Sequence, residues 1–301
     1  MERKMTRKDI FCIVLTALLF ATMEVVLKIA GSDLDAFQLT FIRFAVGGLV
    51  LLPFAVKDLK KRQVRLTGSD WVYMTFLGII CIPVSMLLFQ IAILNANASL
   101  VAVIICSNPI FVMIYSHFLL KDRMNSTKAF VLIISSVGLV FAANPFNMAE
   151  GNSAFGIICA ILAAATFALY TTVGKLRIEK IGDMSMTCLT FILGCAVMLV
   201  PMIIMGKPII AGINSGNILI VLYIGIAVTG IGYFAYFTAI HSCGPANASI
   251  VFFLKPIFAP LFALFILSEN ITWNIILGIV LLLTGSFINI RAARKASLKK
   301  E

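Results

Sequence analysis

Four charged side chains fall inside long apolar stretches of this sequence: Glu24, Lys28, Arg43 and Lys255. A charge at the centre of a membrane-crossing helix costs about 2.5–3.5 kcal/mol on insertion scales, so such a residue faces a partner, a hydrated cavity or a passing solute. The chemistry open to this set is ion pairing, proton exchange and the binding of a charged small molecule. Lys255 lies deepest, near the middle of an apolar stretch from Ala246 to Ser268, where snorkelling reaches neither surface. It precedes Pro256, with Pro260 one turn later, and proline frees backbone carbonyls that can line a cavity. A fixed cation there suits a carboxylate or phosphate; the competing structural reading is an ion pair with Glu24.

Glu24 and Lys28 stand at i,i+4 on one helix face. Arg43 enters its own stretch to about the same depth as Glu24, so these two could also meet. Such a pair either fixes helix packing or exchanges the carboxylate among Arg43, a proton and a substrate. Lys28, close to a helix end, is expected to act as an interfacial anchor. Asn108, Gln90, Tyr170, Tyr233 and Tyr236 add amide and phenol groups that could orient a polar substrate, against ordinary packing as the plainer reading.

Enzymatic signatures are missing: there is no H-E-x-x-H, no G-x-S-x-G and no spaced aspartate pair inside the apolar stretches. No catalytic residue, metal site or cofactor is expected. The seven cysteines contain no C-x-x-C pair and read as small core residues. Gly174, Gly194, Gly230 and Gly232 suit close helix approach and have no phosphate-loop spacing.

The elements that must position these groups follow from composition. Hydrophobic residues make up 61% of the 301 and mean hydropathy is +1.07, well above the share of about 45–50% in soluble domains. With about 20 apolar residues needed per crossing, ten helices are predicted near 9–30, 36–56, 70–93, 98–120, 127–144, 153–174, 184–206, 217–240, 246–268 and 271–291. Alternating strands of the barrel type are not seen. The fold class is therefore an all-α integral membrane protein in contact with a lipid bilayer. The first stretch is longer than a leader's apolar core and lacks a clear cleavage site, so it is expected to stay as a helix.

A net charge of +11 would suit a nucleic-acid binder, but its distribution does not. Lys and Arg crowd alternate ends of the stretches: Arg3, Lys4, Arg7 and Lys8; Lys57 to Arg65; Lys121, Arg123 and Lys128; Lys175, Arg177 and Lys180; Arg291, Arg294, Lys295, Lys299 and Lys300. The intervening segments carry Lys207 alone. Positive residues stay on the cytoplasmic side, which puts both termini there and leaves no role for nucleic acid. The 241–245 turn departs from this pattern, since it should be cytoplasmic yet has no Lys or Arg.

The second half repeats the first at an offset of 147: Phe20-Ala21 recurs as Phe167-Ala168, Lys28 as Lys175, Gly47 as Gly194, Gly78-Ile79 as Gly225-Ile226, Pro109-Ile110-Phe111 as Pro256-Ile257-Phe258, and Gly138 as Gly285. In this register Lys255 matches Asn108. A unit of five crossings places its copy upside down, and inverted repeats are the usual framework of secondary transporters, with the substrate near the midplane between repeats. Two units are expected, 1–146 and 147–301, rocking by alternating access with bends at Pro83, Pro109, Pro256 and Pro260.

The ten-helix plan, the Phe20-to-Lys28 segment with its echo at Phe167 to Lys175, Phe41-x-Arg43-Phe44, and the Pro-Ile-Phe helices ending near Asp122 and Ser268-Glu269 resemble the drug/metabolite transporter superfamily, specifically the EamA-type carriers. The family commonly has Trp at the positions of Phe20 and Phe167, and Leu-Gly-Glu where this chain has Leu267-Ser268-Glu269. The resemblance implies transport of small metabolites, often export of amino acids or related compounds, in a bacterial inner membrane. On this expectation Lys255 holds a substrate carboxylate, Glu24, Arg43, Lys28 and Pro256 couple and gate, protons take part, and the chain works as a monomer. The alternative is an organic-cation or drug exporter using Glu24 as a proton-exchangeable carboxylate.

Overall fold

The structure is a computed structural model that describes residues 6–120, 124–144, 148–243, 248 and 250–298, with side chains described to residue 289 and at Arg291. Of the features discussed above, Arg3, Lys4, Lys121, Asp122, Arg123, Gly244, Pro245, Ala246, Lys299, Lys300, the side chains of Arg294 and Lys295 and the 146/147 boundary lie outside the described residues.

Among the described residues ten helices follow one another: α1 (Arg7–Ala30), α2 (Ala36–Lys61), α3 (Gly68–Asn95), α4 (Ala98–Leu119), α5 (Ser126–Ala143), α6 (Ala154–Ile181), α7 (Asp183–Ile204), α8 (Ile218–Cys243), α9 (Val251–Leu267) and α10 (Trp273–Leu298). The first eight are long and apolar enough to cross a membrane, and α9 and α10 hold shorter apolar helical segments. Local sequence sets their starts. Thr6 and Asp9 form a capping box on α1, Asp35 accepts from the Phe37 N–H at the start of α2, and Asn125 and Ser153 cap α5 and α6.

Several boundaries differ from expectation: α2 runs on through Lys57, Lys60 and Lys61, and α10 ends at Leu298 rather than 291. Lys175, Arg177 and Lys180, read as loop residues, lie on the last turns of α6. The α6–α7 connection is the single residue Gly182, whose φ of 90° is reached without strain only by glycine. Helix α4 breaks at Cys106–Ser107 into Ala98–Ile105 and Asn108–Leu119. The helix opening on Pro109 restarts there because proline supplies no N–H and fits the first turn. Pro83 lies in a seven-residue π-type stretch of α3, Ile80–Met86; the matching region of α8, Tyr223–Ile231, is also π-type. Pro256 and Pro260, in contrast, sit inside a continuous α9.

Packing obeys the repeat. Helix α1 packs on α9 as α6 does on α4; α1 on α8 as α6 on α3; α2 on α8 as α7 on α3; and α2–α7 and α5–α10 are paired with their own counterparts. The molecule is thus two inverted five-helix repeats whose principal contacts run between halves. Glycines allow the crossings: a Cβ on Gly194 would stand 2.6 Å from the Gly78 carbonyl oxygen, and one on Gly47 would stand 2.5 Å from Thr229. In lipid, where helices gain nothing from leaving water, such close backbone approach supplies the attraction. Gly194→Val is expected to lower stability by about 2–3 kcal/mol, seen as a fall in melting temperature in detergent. Gly68→Ala, where nothing lies within 4 Å of the added carbon, should leave it unchanged.

Candidate functional site

The crossing of α1 and α9 brings Glu24 and Lys255 together. Their Oε1 and Nζ atoms are 2.6 Å apart, and the side chains are 0% and 5% exposed. Lys255 is therefore partnered across the two halves by the carboxylate. The angles at the two heads fall outside hydrogen-bond geometry, and Glu24 Oε2 has no hydrogen-bond partner. The pair is close but incompletely satisfied. The α4 break adjoins it, since Cys106 lies within electrostatic range of both charges.

Arg43 does not meet Glu24 in an ion pair, because α1 packs on α8 and α9 while α2 packs on α7 and α8. Its guanidinium lies over the rings of Phe44 and Phe89, at 4.4 and 5.6 Å. Its Nη2 donates to Met86 Sδ at 3.4 Å, and its Nε has no partner. Aromatic rings continue from there: Phe44 on Phe191, Phe191 on Tyr233, Tyr233 on Phe20, and Phe20 on Tyr236. Tyr233 and Tyr236 thus join one aromatic cluster drawn from α1, α2, α7 and α8, between the two halves.

The amides are more committed than their polarity suggested. Asn108 Nδ2 donates to the Ala164 carbonyl at 3.1 Å, tying the α4 restart to α6. Gln90 Nε2 reaches the Leu27 carbonyl at 3.4 Å, and Gln90 Oε1 has no partner. Tyr170 is buried against Phe167, with its hydroxyl beside Thr187 and Thr190. Pro256 is buried next to Lys255.

Lys28 is no free anchor. Its Nζ is 3.1 Å from Glu269 and donates to the Ala96 carbonyl at 2.8 Å. Glu269 also accepts from the Ala98 N–H (2.7 Å), the Ser99 N–H (3.0 Å) and the Ser99 hydroxyl (2.8 Å). It therefore caps the N-terminus of α4 from the end of α9, where a carboxylate also meets the positive end of the helix dipole. At the opposite end, Asp70 takes Arg177 (2.8 Å) and Lys180 (2.5 Å) while completing the cap with Thr67. Neither cluster was legible beforehand, because the charged partners lie 107 to 241 residues apart.

Removing one member of a buried pair costs about 3–5 kcal/mol, while replacing both by apolar groups can be neutral. Glu24→Gln alone should therefore destabilise the protein, and Glu24→Gln with Lys255→Met should recover most of the loss in thermal unfolding. Glu269→Ala strands two N–H groups and Lys28, so a loss of about 3 kcal/mol is expected by the same measurement.

Known proteins supply the comparison for this geometry. The model of the EamA-like transporter family matches residues 7–144 and again 154–291. An uncharacterized transporter of Clostridium kluyveri is 36% identical over 301 residues, covering 98% of this chain and 97% of that protein. The uncharacterized transporter YoaV of Bacillus subtilis is 29% identical over 189 residues, 62% of this chain and 65% of its own length. A solved crystal structure aligns at a TM-score of 0.67 and 16% identity over 96% of this chain and 98% of its own, a likeness of fold. With both halves matched separately and the packing repeating between them, the chain belongs to the EamA-like transporter family and is a multi-pass membrane transporter.

Proposed function

We propose that this transporter is a secondary carrier of small carboxylate-bearing metabolites, amino acids or related zwitterions and anions, working as an exporter by alternating access. The observation that carries this reading is the buried Glu24–Lys255 pair, which joins the two inverted halves where α1 crosses α9. A substrate carboxylate competes with Glu24 for Lys255, and the released Glu24 takes the substrate's ammonium group or a proton. Binding then loosens one contact between the halves, and their rocking transfers access from one side to the other. The aromatic cluster around Tyr233 and Tyr236 covers the apolar part of the substrate.

The chain is read as a monomer in a bacterial inner membrane, with both termini cytoplasmic and two units meeting at residues 146/147. A second reading rests on Glu24 Oε2, which lacks a hydrogen-bond partner: an organic-cation exporter in which a cation and a proton compete for that carboxylate. Counterflow in proteoliposomes loaded with amino acids separates the two. Saturable exchange lost in Lys255→Ala, and also in the Glu24→Gln/Lys255→Met protein, is the expected result. Exchange of organic cations alone, abolished by Glu24→Gln, would transfer the assignment to the second reading.

A further inference from the structure

The buried charges between the halves do not balance. Glu24 and Lys255 together are neutral, whichever of them holds the shared proton. Arg43, 4% exposed, adds one positive charge that guanidinium keeps under all physiological conditions. Among the described residues no carboxylate lies within ion-pair distance of it: the aspartates and glutamates in ion pairs are taken by Lys28, Arg62, Arg177, Lys180, Lys207 and Lys255. Glu24 lies within its electrostatic range, already committed to Lys255.

What surrounds Arg43 holds it without discharging it. The rings of Phe44 and Phe89 present their faces, a contact that tolerates a cation but supplies no counter-charge. The single contact of Nη2 is a weak thioether acceptor, and Nε points at no acceptor. A guanidinium with open donors in a desolvated site is suited to bidentate binding of a carboxylate or another planar oxyanion. Leaving such a cation uncompensated in a desolvated site is costly, and an incoming anion relieves that cost.

We propose that Arg43 is the anion-binding subsite of the transport site and that it selects substrates of net charge −1 over neutral zwitterions. The inference rests on the carboxylate-carrier reading above and narrows it. A neutral amino acid can replace the Glu24–Lys255 contact by its own ammonium and carboxylate, but it leaves the charge of Arg43 in place. A substrate with one further negative charge, such as an acidic amino acid, or a simple monocarboxylate, brings the site to neutrality.

The test is counterflow in proteoliposomes with net-anionic compounds (glutamate, aspartate, 2-oxo and 2-hydroxy monocarboxylates) against their neutral carboxamide counterparts, for wild type, Arg43→Gln and Arg43→Lys. The wild type is expected to exchange at least one anion with at least a tenfold preference over its carboxamide. Arg43→Gln should abolish that preference, and Arg43→Lys, which keeps the charge and loses the fork, should retain part of it. The same anion should raise the melting temperature of the wild type and of Arg43→Lys but not of Arg43→Gln, a readout that a packing role for Arg43 would not move. Equal exchange of anions and carboxamides by the wild type overturns the inference and leaves the carrier reading standing. So does an undiminished preference in Arg43→Gln. Absence of exchange for every carboxylate by the wild type overturns both. Should Arg43→Gln fail to fold, the preference and melting shift of Arg43→Lys decide: values equal to wild type overturn the bidentate subsite, and reduced values support it.

Discussion

Hydrocarbon offers no hydrogen bonds and no screening, so every polar group inside the slab must find its partner within the protein. That constraint organises this molecule. It forces the backbone into helices, restricts loops to the two surfaces, and makes each internal charge a contact between helices. The Glu24–Lys255 pair is its sharpest expression, with two charges buried at 2.6 Å in the crossing of helices from opposite halves. Arg43, stacked on aromatic rings, is a core charge that has no carboxylate within ion-pair distance among the described residues, and its Nε has no hydrogen-bond partner.

Polar ties between the halves cluster at the two membrane surfaces as well. At one end of the bundle, Lys28 with Glu269 and Asp35 with Lys207 join first-half to second-half helices, and Gln38 reaches the carbonyls of Ile209 and Ala211. At the opposite end Asp70 holds Arg177 and Lys180, Asp58 accepts from Ser185, and Asp9 accepts from Ser242. The rocking proposed for transport would have to break the set at one end while the centre stays packed. The glycine crossings at Gly78–Gly194 and Gly47–Thr229 lie between those sets, where the helices approach closely. The π-type stretches of α3 and α8 fall in the same helices, at matching places in the repeat, where a wider turn loosens the i to i−4 ladder.

The amino-acid sequence by itself determined the class and the plan. Hydropathy runs, basic clusters at alternate ends and the 147-residue echo each depend on local composition or on register along the chain, so ten helices in two inverted repeats were readable without coordinates. The internal charges were equally visible, since a Glu, Lys or Arg among apolar residues stands out whatever it touches. Tertiary structure alone decided their partners. Periodicity gives the face of one helix and says nothing of which distant helix packs on it. That is why Glu24 could be matched to Lys28, Arg43 or Lys255 until α1 was seen lying on α9. For the same reason Lys28 read as an anchor, although Glu269 waits 241 residues away, and the α4 cap made by Glu269 had no sequence signature at all. Pair identity in this protein is set by helix crossings between segments that the chain itself keeps far apart.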